Sequence, residues 1–207
     1  MSQPTATTPA QPAGTEALAA AARSVVDAVV RAGDHCAERA AELAARLRAI
    51  ADELDRCAPP LEERLGEMRQ FSRSVKYNPV TGPGNPFSPP LDCTDRDDAG
   101  DGTVRGAVAL GLPYQGPPGH VHGGISALLM DHMMGVANGR AGVPGMTARL
   151  TLDYHRPVPL YQELTVTARH RSSDGRKILT TGTIGAGGET YVSAEGLFIQ
   201  PRTPLRE

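Results

Sequence analysis

The chain has 207 residues and a formal net charge of −2. That is enough for one domain with a substantial core plus an appendage, without the basic excess that a nucleic-acid partner calls for. Its three cysteines, Cys36, Cys57 and Cys93, form no CxxC pair and no cluster with histidine; this argues against a zinc site or a disulfide framework and makes a reducing, cytoplasmic setting the expectation.

The first fourteen residues, MSQPTATTPAQPAG, are rich in Pro, Thr, Gln and Ala and read as a disordered tail. They lack a basic segment followed by an apolar one, so no signal peptide is expected. No stretch of the chain reaches the ~18 consecutive apolar residues of a membrane span. From Thr15 the pattern turns helical. Leu18, Ala22, Val25 and Val29 fall at 4-3-4 spacing up to Gly33. Asp34 is placed to cap a second helix, whose stripe is Leu43, Leu47, Ile50 and Leu54 before Pro59-Pro60 closes it. LEERLGEMRQF adds a third short helix. The expectation for residues 15–76 is a helical extension packed on the main domain, on itself or on a partner chain. Residues 1–78 hold ten Lys/Arg against eleven Asp/Glu, so the extension lacks the basic footprint of a DNA-binding helix-turn-helix.

Residues 78–102 are a loop region dense in Pro, Gly and Asp, and beyond it the hydrophobic period changes to two. Segments 103–111, 146–155, 163–171, 176–185 and 189–200 alternate or are rich in Val, Ile, Thr and Tyr. SSDG and GAGG read as hairpin turns, and RPVPL as a longer bend. Between the first two strands lies GPPGHVHGGISALLMDHMMGVANG, a Pro/Gly turn leading into an almost wholly apolar helix that carries one aspartate, Asp131. The order strand, helix, four strands predicts an α+β domain over 77–207, in which an antiparallel sheet of five or six strands wraps one long helix.

The helix and its entry carry the chemistry. Gly123 and Gly124 allow a ligand to approach the backbone with no Cβ in the way. The first N–H groups of a helix are unpaired and partly positive, suited to a developing oxyanion. A carboxylate within an apolar helix needs partners or water, and Asp131 is the one available to activate water or to attack. His120 and His132 read as structural, Met130, Met133 and Met134 as core or pocket lining, and Arg156, Arg176 and Lys177 lie at strand ends where they can meet phosphates.

YQGPPGHVHGGISALLMD, followed by MTARLTLDYHRPVPL, GRKILTTGTI and YVSAEGLFI, resembles the hotdog-fold acyl-CoA thioesterases, in particular the phenylacetate-pathway and mammalian mitochondrial long-chain type. The resemblance covers residues 78–200 and leaves the N-terminal helices outside it. It implies a hydrolase that cleaves acyl-CoA to acid and free CoA without a metal or an organic cofactor, acting in lipid metabolism as a homodimer or a dimer of dimers (a homotetramer). In the resemblance the Gly123 amide polarises the thioester carbonyl, and Asp131 is general base or nucleophile. Thr147 orients the base or its water, His122 shapes the turn, and Gly124, Arg156, Arg176 and Lys177 contact substrate. His132 stands where relatives often have a carboxylate. The alternatives on the same scaffold are a non-catalytic acyl-CoA sensor and a dehydratase acting on an acyl thioester.

Overall fold

The computed structural model describes residues 14–89, 91–93 and 102–202. The tail expected over 1–14 lies outside them except for Gly14, as does part of the loop region that precedes the first strand. Two long helices, α1 (Thr15–Ala32) and α2 (Ala40–Cys57), are followed by two short ones, α3 (Leu61–Glu67) and α4 (Phe71–Lys76). Strand β1 (Val104–Ala109) leads to α5 (Gly123–Arg140). Then come β2 (Met146–Tyr154), β3 (Glu163–Asp174), β4 (Lys177–Ala186) and β5 (Glu189–Ile199). Every pairing is antiparallel and the spatial order is β1-β3-β4-β5-β2. Gly187 and Gly188, with φ of 58° and 85°, supply the two left-handed residues that a two-residue hairpin turn demands. None of the described helices is long and apolar enough to cross a membrane.

The sheet curls around α5, which touches all five strands. Its inward face, Leu129, Met130, Met133, Met134 and Ala137, is buried among Val166, Ile178, Ile184, Val192 and Phe198. Two strand glycines set how close the helix comes. A Cβ on Gly182 would collide with the Met130 methyl and lie 2.5 Å from the Thr167 carbonyl oxygen. A Cβ on Gly196 would lie 2.7 Å from the Met134 sulfur. Gly182→Val is therefore expected to destabilise the fold by about 1–3 kcal/mol, the usual range for overpacking, as read from the midpoint of urea unfolding.

The helical extension departs from the sequence reading at one point. Asp34 caps nothing: Gly33–Arg39 continues as a 3₁₀ turn, and α2 begins at Ala40 without a side-chain cap. Most of the apolar stripe residues do not face the domain, which leaves a partner chain among the expected packing alternatives. Leu18, Val25 and Val29 are exposed, as are Leu47, Ile50 and Leu54, and α2 buries no residue. The α1 face that meets the Pro/Gly-rich loop and the turn at Leu112–Tyr114 carries Ala19, Arg23, Val26 and Asp27. Ala19 is buried there, Arg23 donates from Nη1 to the Asn85 carbonyl at 2.8 Å, and a Cβ on Gly111 would lie 3.3 Å from Asp27 Oδ1.

Candidate functional site

The turn before α5 is built by short contacts. The Gly116 N–H donates to the His120 carbonyl and the His120 N–H to the Pro117 carbonyl. The Gln115 side chain accepts from the Gly119 N–H at 2.9 Å, so it braces this loop. A Cβ on Gly116 would stand 2.7 Å from His122 Cα, which is why glycine occupies this position. The His122 N–H donates to the Tyr114 carbonyl at 2.9 Å, and its ring caps the helix: the Gly124 N–H donates to His122 Nδ1 at 2.9 Å. Nδ1 accepts that bond and so carries no proton in this arrangement.

The cap leaves one donor over. The N–H groups of Ile125 and Ser126 point to the His122 carbonyl, and that of Gly124 is taken by the ring. Among the described residues the Gly123 N–H has no acceptor. The next carbonyl is held from outside, because the Tyr154 hydroxyl donates to the Gly123 oxygen at 2.9 Å. The result is a fixed, unpaired amide at the positive end of an eighteen-residue helix. Gly123 borders a cleft of about 520 Å³ whose wall also includes Gly124, Tyr154, His155 and Arg156.

Asp131 is half-buried in the third turn of α5. The Thr147 hydroxyl donates to its Oδ1 at 2.6 Å. Reaching it depends on a β-bulge. Leu150 and Leu152 pack toward the core, and uninterrupted alternation from them would turn Thr147 to the opposite face. The register of β2 on β5 slips between Thr147 and Arg149, so Thr147 comes opposite the buried Phe198 and shares its inward face. The same strand places Tyr154, in phase with Leu150 and Leu152, over the helix start. Sequence reasoning missed Tyr154, although that alternation was a signal for it.

The remaining expected contacts divide between the two ends of the sheet. Arg156 lies in the cleft at Gly123 and pairs with Glu189 at 2.7 Å. Arg176 and Lys177 sit at the other end, where Lys177 is opposite Ile199 and Ile199 opposite Met146; Arg176 donates from Nε to the Gln200 carbonyl at 2.8 Å. They belong to the Asp131 end, not the Gly123 end. His120 bonds its own loop, with Nδ1 2.9 Å from the Pro118 carbonyl oxygen.

His132 turns away from the cleft and meets the Thr81 hydroxyl at 3.1 Å, pinning the loop after α4 to α5. Burial pushes its imidazole below the ordinary value of 6.5, opposed by the neighbouring Asp131 carboxylate. The folded state thus binds this proton less readily than the unfolded chain, so stability is lost as pH falls below about 6.5. His132→Gln is expected to weaken the acid-side loss of Tm between pH 7.5 and pH 5, as measured by calorimetry on both proteins.

A five-stranded antiparallel sheet closed around one helix is the hotdog fold. Residues 118–184 match the family model described as Thioesterase superfamily, and residues 6–63 match one described as the N-terminal helical domain of hypothetical protein RHA1_ro05818. A solved structure described as protein RHA08564, thioesterase superfamily protein, is 45% identical with a TM-score of 0.75, and the alignment covers 90% of this chain and 95% of that one. The protein belongs to the thioesterase superfamily. Rat acyl-coenzyme A thioesterase THEM4 is 37% identical over 148 residues, 70% of this chain and 60% of the relative. The mouse protein of that name is 38% identical over 46% of this chain and 43% of its own length, so the chain spans less than two thirds of the length of these curated relatives. Zebrafish thioesterase superfamily member 2, at 16% identity and TM-score 0.52 over 63% of this chain and 96% of that one, shares the fold.

Proposed function

We propose that this protein hydrolyses acyl-CoA thioesters to the free acid and coenzyme A, with water as the second reactant and protein groups as the only catalysts. The observation that carries the reading is the unpaired Gly123 amide, held between the His122 cap and the Tyr154 hydroxyl. Such a donor stabilises the negative charge that develops on a thioester carbonyl oxygen under attack. Asp131, oriented by Thr147, activates the attacking water as general base or attacks the carbonyl itself. On the general-base route the water oxygen bonds the carbonyl carbon and its proton goes to Asp131; the C–S bond then breaks, Asp131 gives that proton to the departing sulfur, and coenzyme A leaves as the thiol. The names of the THEM4 relatives and the resemblance of the motif support acyl-CoA as the substrate class.

The same reading makes the protein a homodimer or a dimer of dimers. Eight residues of α-helix separate Gly123 from Asp131, about 12 Å along the axis at ~1.5 Å per residue. One thioester carbon cannot lie within ~3.5 Å of both on one helix. Two antiparallel α5 helices side by side bring the Gly123 of one protomer to the Asp131 of its partner. The outward face of α5 suits such a neighbour. Gly124, Leu128, Asp131 and Gly135 follow one another along it, none of them buried, and a Cβ on Gly135 would meet nothing within 4 Å. Strand β2 adds a free outer edge, and its side chains are mostly exposed. An antiparallel pair also brings Arg156 of one protomer to the end that holds Arg176 and Lys177 of the other, so all three can serve one coenzyme A.

The test is release of free thiol from a panel of acyl-CoAs by the purified protein. Release supports hydrolysis. Saturable binding without release would make the protein an acyl-CoA sensor instead, and hydration of an enoyl-CoA would make it a dehydratase.

A further inference from the structure

We infer that the N-terminal helix α1 forms the far wall of the acyl-chain site, and that Val26 sets the length of acyl group accepted. The inference rests on the functional reading above and extends it to the helical extension, for which that reading has no use. A cavity of about 360 Å³ lies between α1 and α5, toward the small end of ligand-sized pockets. Its floor is Ile125 and Leu128 of α5, its sides include Phe87 and Tyr114, and Val26 of α1 closes it. Every side chain lining it except that of Tyr114 is pure hydrocarbon, and the Tyr114 hydroxyl is directed to the Ser88 carbonyl oxygen at 3.4 Å.

Three features join this cavity to the reacting centre. Ile125 follows the two glycines directly. Leu128 stands one turn beyond Gly124, on the same side of the helix. Tyr114 holds the His122 N–H through its carbonyl, so one residue forms both a cavity wall and the anchor of the oxyanion turn. The cavity thus borders the oxyanion turn through Tyr114 and the first turn of α5 through Ile125.

The wall is positioned, not merely adjacent. Val26 is on the α1 face of Ala19 and Arg23, the face fixed to the domain by buried Ala19 and by the Arg23 bond to the Asn85 carbonyl. Val26 and Phe87 are nevertheless 49% and 67% exposed. Hydrocarbon held open at a fixed position beside a reactive amide fits an apolar ligand that covers it.

The experiment is a ladder of saturated acyl-CoAs from acetyl to palmitoyl, assayed by thiol release on the full chain and on Val26→Phe and Val26→Ala. Val26 lies on an exposed helix surface, so both variants are expected to fold, which circular dichroism and the thermal midpoint check independently of turnover. Val26→Phe is expected to leave kcat/KM for acetyl-CoA within about twofold. It should lower that for the longest chains the parent accepts by roughly tenfold, the effect of losing about two buried methylenes. Val26→Ala should move the preferred length upward. An unchanged length profile in both variants overturns the assignment, and so does an equal loss at every chain length, acetyl included. If the parent protein releases thiol from no acyl-CoA, the functional reading itself falls and this inference falls with it; thiol release with an unmoved profile overturns the inference alone.

Discussion

Asp131→Asn is expected to abolish most turnover while leaving the fold intact. Removing a general base costs about 10²–10⁴ in kcat, and removing a nucleophile costs at least as much, so a fall of at least ~10²-fold is expected on either role. The amide is nearly isosteric and can still accept the Thr147 hydroxyl bond at Oδ1, so the melting temperature should change little. Thr147→Val removes only the orienting donor. A hydrogen bond to a charged group contributes about 1.5–3 kcal/mol, which bounds the loss in kcat at roughly 10- to 150-fold. The ordering of the two variants is as informative as their size. A Thr147→Val protein less active than Asp131→Asn would move the chemistry away from the carboxylate.

Much of the domain was legible in the sequence because its signals are local. Period-two segments marked all five strands to within about three residues at either end, and the Pro/Gly turn followed by an apolar run marked α5 from its first glycine. The candidate acid was legible for a similar reason: Asp131 stands in a helix otherwise almost free of charge. Pairing it with Thr147 came from the resemblance alone, since strict alternation along β2 would have turned Thr147 outward, and only the register slip beside it reverses that. Nothing in ARLTL announces a bulge, because bulges are settled by cross-strand packing. Tyr154 was missed although its phase with Leu150 and Leu152 pointed inward, because a hydroxyl bonded to a backbone carbonyl leaves no motif. The N-terminal helices were found by period, but period alone does not say what their apolar stripes pack against. Apolar spacing predicts which face of a helix seeks burial; in α1 most of that stripe is exposed, and the face with Ala19, Arg23, Val26 and Asp27 meets the domain.

Gly123→Pro is the second change expected to have a large effect. Proline removes the one N–H that the cap leaves unpaired, and the loss of a single oxyanion donor costs about 10²–10³ in kcat. The backbone tolerates it. Position 123 is the first residue of α5, where proline is accepted, and His122 at φ −64° and ψ 133° already has the conformation required before a proline. The added Cβ meets only the movable Tyr154 ring, at 3.2 Å from its hydroxyl.

Combining the two variants tests whether the site is shared between protomers. Differently tagged Gly123→Pro and Asp131→Asn chains, co-expressed, form mixed dimers in about half of random pairings. In each mixed dimer one site combines an intact Gly123 amide with an intact Asp131, and the other has lost both. Turnover per protein should therefore return to about a quarter of the parent level from two nearly inactive variants, and to about half in mixed dimers purified through both tags, since each of the two losses is about 10²-fold or more. Mixed dimers as inactive as either variant, with both variants folded and dimeric, would contradict a site built from the Gly123 of one protomer and the Asp131 of its partner.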